Sequence, residues 1–215
     1  MVDYDLVPSV GRYLADFQKI GKTKRDLLFE ENQAFRIFYK EAKGDIAHEP
    51  SSYWEWLAIA QHHGLPTRLL DWSYSAAVAL FFAVESQGQN AAVVYVLDRS
   101  VKFLSVNQEK ELDPLSCGEL IAYLPRHVTP RIKVQSGIFT VHPDPTEPLR
   151  DQVVARLIIP REFCFKIQLG LNMMGINRKA LFPDVDGLSR WIKWMKYDTV
   201  RDYVNIAQQE NAADS

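Results

Sequence analysis

The order of elements predicts an α+β fold, a small and mostly antiparallel sheet with helices packed against it. Three observations carry that expectation. Helical spacing of apolar residues dominates the chain up to Glu85. Short alternating apolar runs then appear between Ala91 and Ile159. Helical spacing returns after Arg161. A chain of 215 residues can bury a sizeable core without disulfide staples, and a single domain over residues 1–215 is expected.

The elements follow in order. Lys22–Lys43 reads as a helix capped by Thr23, with Leu28, Phe35, Phe38 and Tyr39 near helical spacing. Ser52-Tyr53-Trp54-Glu55 has the capping-box form, so a helix begins at Ser52, and Gly64 and Pro66 end it. Trp54, Leu57, Ala58 and Gln61 share one face of it, which carries the Gln61 amide to the end of an apolar stripe. Thr67–Trp72 reads as extended. Ser73 or Ser75 caps a helix over Ser75–Glu85 whose run is apolar on every side, so it is expected to be the most buried helix of a single core, packed on a strand at Ala91–Leu97. Arg99–Thr129 is irregular, with a short helix expected near Cys117–Tyr123. Arg131–His142 reads as a strand whose apolar phase flips at Gly137, the signature of a bulge or close backbone approach. Val153–Ile159 is a strand stopped by Pro160. Arg161–Met174 is a helix ending at Gly175. Asp186–Tyr197 is a last amphipathic helix with Leu188, Trp191, Ile192 and Met195 inward, and the tail after Asn205 frays.

Composition limits the function classes. Hydrophobic residues make up 47% and aromatic residues 12%, which describes a globular chain and not a disordered one. Cys117 and Cys164 lie far apart with no metal-type spacing, as in a reducing compartment. No apolar run approaches the ~18 residues of a membrane span, and no signal pattern opens the chain. A cytoplasmic protein without membrane partners is expected. The net charge of −2 gives no global nucleic-acid signature. Between Arg156 and Lys196, however, eight Lys/Arg stand against three acids, either a phosphate-attracting face or ordinary solvated helix surface.

The densest chemistry lies at residues 61–71. Gln61, His62, His63, Thr67, Arg68 and Asp71 put six hydrogen-bonding side chains within eleven residues, flanked by Trp, Leu and Ile. Polar groups among such flanks must be paired, so the stretch builds a pre-organised network or a site. Metal, phosphate-loop and cysteine-nucleophile motifs are absent from the sequence.

Gln61-His62-His63-Gly64-Leu65-Pro66-Thr67-Arg68-Leu69-Leu70-Asp71-Trp72, followed by Ala79-Leu80-Phe81-Phe82-Ala83, resembles the core signature of the FRG domain family. Val7-Pro8-Ser9 with Arg12, Gln135-Ser136-Gly137-Ile138-Phe139, His142 and Leu181–Leu188 match in the same order. The Phe-Arg-Gly that names the family would lie just before Val7-Pro8-Ser9 and is absent here, so this form is expected to bind NAD weakly or not at all and to be catalytically crippled. The resemblance implies a fold distantly similar to ADP-ribosyltransferases, with NAD as co-substrate. It further implies bacterial toxins or phage-defence proteins that modify nucleic acid or protein, and so a neutralising antitoxin partner.

That resemblance sets roles against structural alternatives. NAD would lie across the 64–73 turn and the 131–139 strand, with Arg12, Gln61, Thr67 and Arg68 binding it and Gln135, His63 and Asp71 at the chemistry. Gln61 orients a ligand or bridges backbone segments. His63 is a base or a satisfied core histidine. Arg68 clamps a pyrophosphate or ties the end of the 52–63 helix to the sheet. Thr67 bonds a ribose hydroxyl or shapes the turn, and Asp71 is catalytic or a helix-entry cap. Gln135 holds a ribose or a nucleophile, but as an amide it is no general base. Arg68 and Asp71, three apart on an extended segment, point to opposite faces and do not pair. Trp72, Tyr123, Trp191 and Trp194 are candidates to stack on a ring.

Overall fold

The computed structural model describes residues 5–46, 49–85, 90–126 and 134–204, so the tail after Asn205 lies outside the described residues. Ser52 caps the helix α3 (Tyr53–His62) by accepting from the Glu55 amide at 3.2 Å. The Glu55 carboxylate returns the bond to the Ser51 amide, one residue earlier than a strict capping box. Residues 54–60 are all buried, so α3 and not the apolar 75–85 segment is the most buried helix. The reason is placement. Trp54, Leu57 and Ala58 of α3 pack with Leu69, Phe139 and Val141 of the sheet, while Phe38 and Tyr39 of α2 (Lys24–Glu41) stack edge-on against Trp56. The 75–85 segment forms α4 (Ala76–Glu85), which buries Val78, Phe81 and Val84 and leaves Phe82 41% exposed.

Strands β1 (Leu69–Ser73), β3 (Ile121–Tyr123) and β4 (Gly137–Val141) make an antiparallel sheet in the order β1-β4-β3. Register pairs Leu69 with Val141 and Asp71 with Phe139, and pairs Tyr123 with Phe139 on the other side of β4. Alternation therefore lines up Asp71, Phe139 and Tyr123 on the face that α3 covers. Trp72, Ile138 and Ala122 lie on the opposite face, with Val101. Both faces of β4 are covered, which explains why Ile138 looks out of phase in the sequence. The described strand begins only at Gly137, and the left-handed backbone falls on Ser136 (φ 49°) instead of the glycine.

The helix expected near Cys117–Tyr123 is absent. Ser105 and Gln108 form a capping box that starts the helix earlier, as α5 (Val106–Glu111), and Ile121–Tyr123 becomes β3 because β4 is available to pair with it. A second, two-stranded sheet joins β2 (Ala92–Leu97) to β5 (Val153–Ile159).

Buried apolar side chains gather in separate clusters. Packing divides the chain into Met1–Tyr74 with Tyr95–Arg156, and Ser75–Val94 with Leu157–Ser215. The first unit holds the three-stranded sheet. In the second, Val78, Phe81 and Val84 of α4 pack with Cys164 and Leu171 of α6 (Arg161–Met173) and with Leu181 of α7 (Arg178–Leu181). Helix α8 (Val185–Lys193) runs into a π-helical turn, Trp194–Asp198. Its expected inward stripe is only half covered, with Leu188 and Ile192 exposed. No helix among the described residues is long and apolar enough to cross a membrane.

Candidate functional site

Helix α3 ends in a Schellman turn. Gly64 sits at φ +89°, its amide donates to the Gln61 carbonyl at 2.9 Å, and the Leu65 amide reaches back to the Ala60 carbonyl at 2.9 Å. Pro66 then forces extension, and the Thr67 amide donates to Ser9 Oγ at 3.0 Å while the Thr67 carbonyl accepts from the Val10 amide at 3.2 Å. The Val7-Pro8-Ser9 segment is thereby fastened to the start of β1. Gly11 permits the same docking, since a Cβ there would lie 1.8 Å from the Pro145 carbonyl oxygen.

The side chains of the motif separate onto two faces. Toward α3, the Gln61 amide donates to Asp71 Oδ2 at 2.8 Å and to the Leu69 carbonyl at 3.4 Å, and its oxygen accepts from the Thr67 hydroxyl. The expectation that a buried stripe delivers Gln61 to specific partners holds. On the other face the Arg68 fork grips Glu31 of α2, Nε to Oε1 at 3.0 Å and Nη2 to Oε2 at 2.6 Å, and Nη1 reaches the His142 carbonyl at 3.5 Å. Both Arg68 and Glu31 are only 4% exposed. As expected, Arg68 and Asp71 do not pair.

Beside Arg68, His142 is 3% exposed and its Nε2 lies 3.0 Å from Thr140 Oγ1. The Trp72 indole N–H also donates to that Oγ1 at 2.9 Å, so one hydroxyl joins the indole and the imidazole. Burial, and then the Arg68 charge, push His142 down to about 4, and it is neutral at physiological pH.

Asp71 differs in kind. Its carboxyl is driven above the ordinary carboxylate range by burial, against the opposing Gln61 hydrogen bond and the positive charge of Arg12. By surface area, however, the residue is exposed. Area and surroundings describe one position: protein encloses the carboxylate on most sides, and solvent still reaches it. The exposure moderates the rise, but the direction stands, because burial outweighs the neutral hydrogen bonds and the Arg12 charge. Arg12 is exposed and, among the described residues, its hydrogen bond is from Nε to the Val7 carbonyl at 3.0 Å. Among the described residues its Nη atoms have no hydrogen-bond partner.

The structure thus brings Arg12, Gln61, Thr67 and Asp71 together. Arg68 is committed to Glu31, which corrects its expected place as a phosphate clamp; it ties α2 to the sheet. Thr67 is fully buried, its hydroxyl accepting from the Leu69 amide at 3.2 Å, so it shapes the turn. His63 is exposed at the helix end, edge-on to His62, and is not a core histidine. Gln135 precedes β4 instead of lying on it, and its carbonyl accepts from Ser73 Oγ at 2.7 Å. Tyr123 is held inside, against Trp54. Among the described residues no group of three or more His, Cys, Asp or Glu could hold a metal.

Glu31 was not foreseen. Its signal lay in the i, i+4, i+8 series Leu27-Glu31-Phe35, which places a carboxylate in the middle of the buried stripe and requires a cation opposite.

The FRG domain model matches residues 1–92, so this stretch of the chain is similar to FRG domains. The matched span contains Arg12, Gln61 and Asp71. Neither a curated protein nor a solved structure matches the chain.

Proposed function

We propose that this FRG-like domain is an ADP-ribosyltransferase-like enzyme that takes NAD as co-substrate at Asp71. The observation that carries this reading is the Asp71 carboxyl itself. It is reachable by solvent, enclosed by protein, raised in pKa and held by neutral partners, the Gln61 amide and a backbone amide. Cleaving a ribosyl bond develops positive charge on the sugar, so a fixed carboxylate in a poorly hydrated setting lowers the barrier by electrostatics and positioning. Asp71 also accepts from a ribose hydroxyl, Gln61 fixes its orientation, and the open donors of Arg12 suit a phosphate oxygen.

The acceptor is nucleic acid or protein, in keeping with a toxin or defence protein restrained by an antitoxin. The free thiols of Cys117 and Cys164 support a cytoplasmic setting. A second reading, a non-catalytic nucleic-acid or protein binding module, draws on the buried network of Glu31, Arg68, Thr140 and His142, which locks the fold.

Nicotinamide release and transfer of labelled ADP-ribose to RNA, DNA and protein test the enzyme reading. Asp71→Asn is expected to remove turnover while leaving the melting temperature at pH 8 equal or higher, because the ionised carboxyl disfavours the folded state there. The acid limb of activity should lie above the ordinary carboxylate range. Absence of NAD binding even by a form that carries Phe-Arg-Gly ahead of Val7, or full turnover by Asp71→Asn, refutes the assignment.

A further inference from the structure

A cavity of about 280 Å3 lies wholly within the second unit, among α4, α6, α7, α8 and the π-helical turn. It contains no residue of the 61–73 motif. Its lining includes Gln168, which is 8% exposed and makes no hydrogen bond among the described residues. Its amide atoms are not sealed off by protein, so they open onto the cavity and can bond a guest there. Two further donors on the lining, Arg178 Nε and Trp194 Nε1, are enclosed and have no acceptor among the described residues.

The other groups deepen the pattern. Asn172 accepts from the Trp191 indole at 2.8 Å and Asn177 accepts from the Ala180 amide at 3.1 Å, which leaves both NH2 groups as unused donors. Arg178 is paired with Glu85 and Lys193 with Asp198, whereas Arg190 has no carboxylate partner among the described residues. The cavity is therefore rich in donors and carries one uncompensated cation. Trp194 and Asp198, the first and last residues of the π-helical turn, both line it, and such turns concentrate at functional sites.

We propose that this cavity binds a nucleoside monophosphate, either free or as one unit of a single-stranded nucleic acid. Unused donors and Arg190 select an acceptor-rich anion such as a phosphate. The Gln168 amide, donor and acceptor at once, matches the edge of a base, and Trp191 and Trp194 supply flat apolar wall for its ring. The volume stands at the lower end of the ~300–1,000 Å3 usual for small-molecule sites, which suits one nucleotide better than two. The assignment is independent of the ADP-ribosyl reading.

Calorimetric titration and thermal-shift assays of the full chain test it, with the four ribonucleoside monophosphates, their nucleosides, inorganic phosphate, and short single-stranded RNA and DNA. Monophosphates should bind more tightly than the nucleoside or phosphate alone. Arg190→Ala, an exposed site, should weaken binding about 10- to 100-fold. Gln168→Leu should abolish it while leaving the melting temperature unchanged or higher, since an unpartnered amide gives way to an apolar side chain of similar size. Binding of oligonucleotide without free nucleotide identifies the polymer as the source. Failure of every nucleotide and oligonucleotide to bind overturns the proposal, as does binding that survives both substitutions, or an equal response to inorganic phosphate.

Discussion

Arg68→Met would show whether the central arginine of the motif holds a ligand or holds the fold. The substitution removes two charge-assisted bonds to Glu31, at 3.0 and 2.6 Å, and a longer one to the His142 carbonyl. It leaves the Glu31 carboxylate, 2% exposed at its side chain, without a partner. Removing one member of such a pair costs about 3–5 kcal/mol, mostly the penalty of the stranded charge. For a chain of this size that is a fall of roughly 6–20 °C in melting temperature, at ~2–4 °C per kcal/mol. Urea denaturation followed by tryptophan fluorescence measures the loss. The second arm is Arg68→Met with Glu31→Leu, which removes both charges and should recover most of the stability. The cycle has a strong coupling sign because neither charge is tolerable alone. A loss below about 1 kcal/mol in the single variant, or a double variant no better than the single, refutes the structural assignment of Arg68.

Three further outcomes follow from the same geometry. Gln61→Leu should cost on the order of 1–3 kcal/mol in urea, because the fully buried Thr67 hydroxyl loses its acceptor and Asp71 its one side-chain donor. His142 contributes to acid sensitivity: its folded pKa of about 4 lies below the ordinary 6.5, so the folded state binds fewer protons between those values. Its neutral form therefore supports the fold fully above pH 6.5, and that support is lost as pH falls through 4, amounting to ~3 kcal/mol. The stability advantage of wild type over His142→Gln should narrow by about that much across this window in pH-dependent chemical denaturation. Gly11→Ala places a Cβ on the Pro145 carbonyl oxygen, a backbone atom that no rotamer change can move, and should cost about 3 kcal/mol or more by thermal melting.

Much of the first unit was legible from local signals. Thr23 and Ser52 cap their helices where the sequence placed them, and Gly64 ends α3, because these are short-range backbone hydrogen bonds that need no distant partner. Period-2 geometry alone separated Arg68 from Asp71, and helical phase alone brought Gln61 to its partners. The fold class followed from the same short-range patterns.

What the sequence could not supply was the identity of each long-range neighbour. Ile121–Tyr123 has no strand signal of its own and pairs only because β4 lies alongside. The apolar run of α4 announced burial but not how much, and α3 took the deeper position because sheet and helix cover it from both sides. Arg68 and Asp71 stand three residues apart in the same motif, and composition gives them equal claims on a ligand. Tertiary structure divided them: a carboxylate 37 residues away closes around one, and the other keeps an edge-strand position that solvent reaches. A pKa, a buried ion pair and a cavity are sums over neighbours brought together by folding, and no local pattern in the chain encodes them.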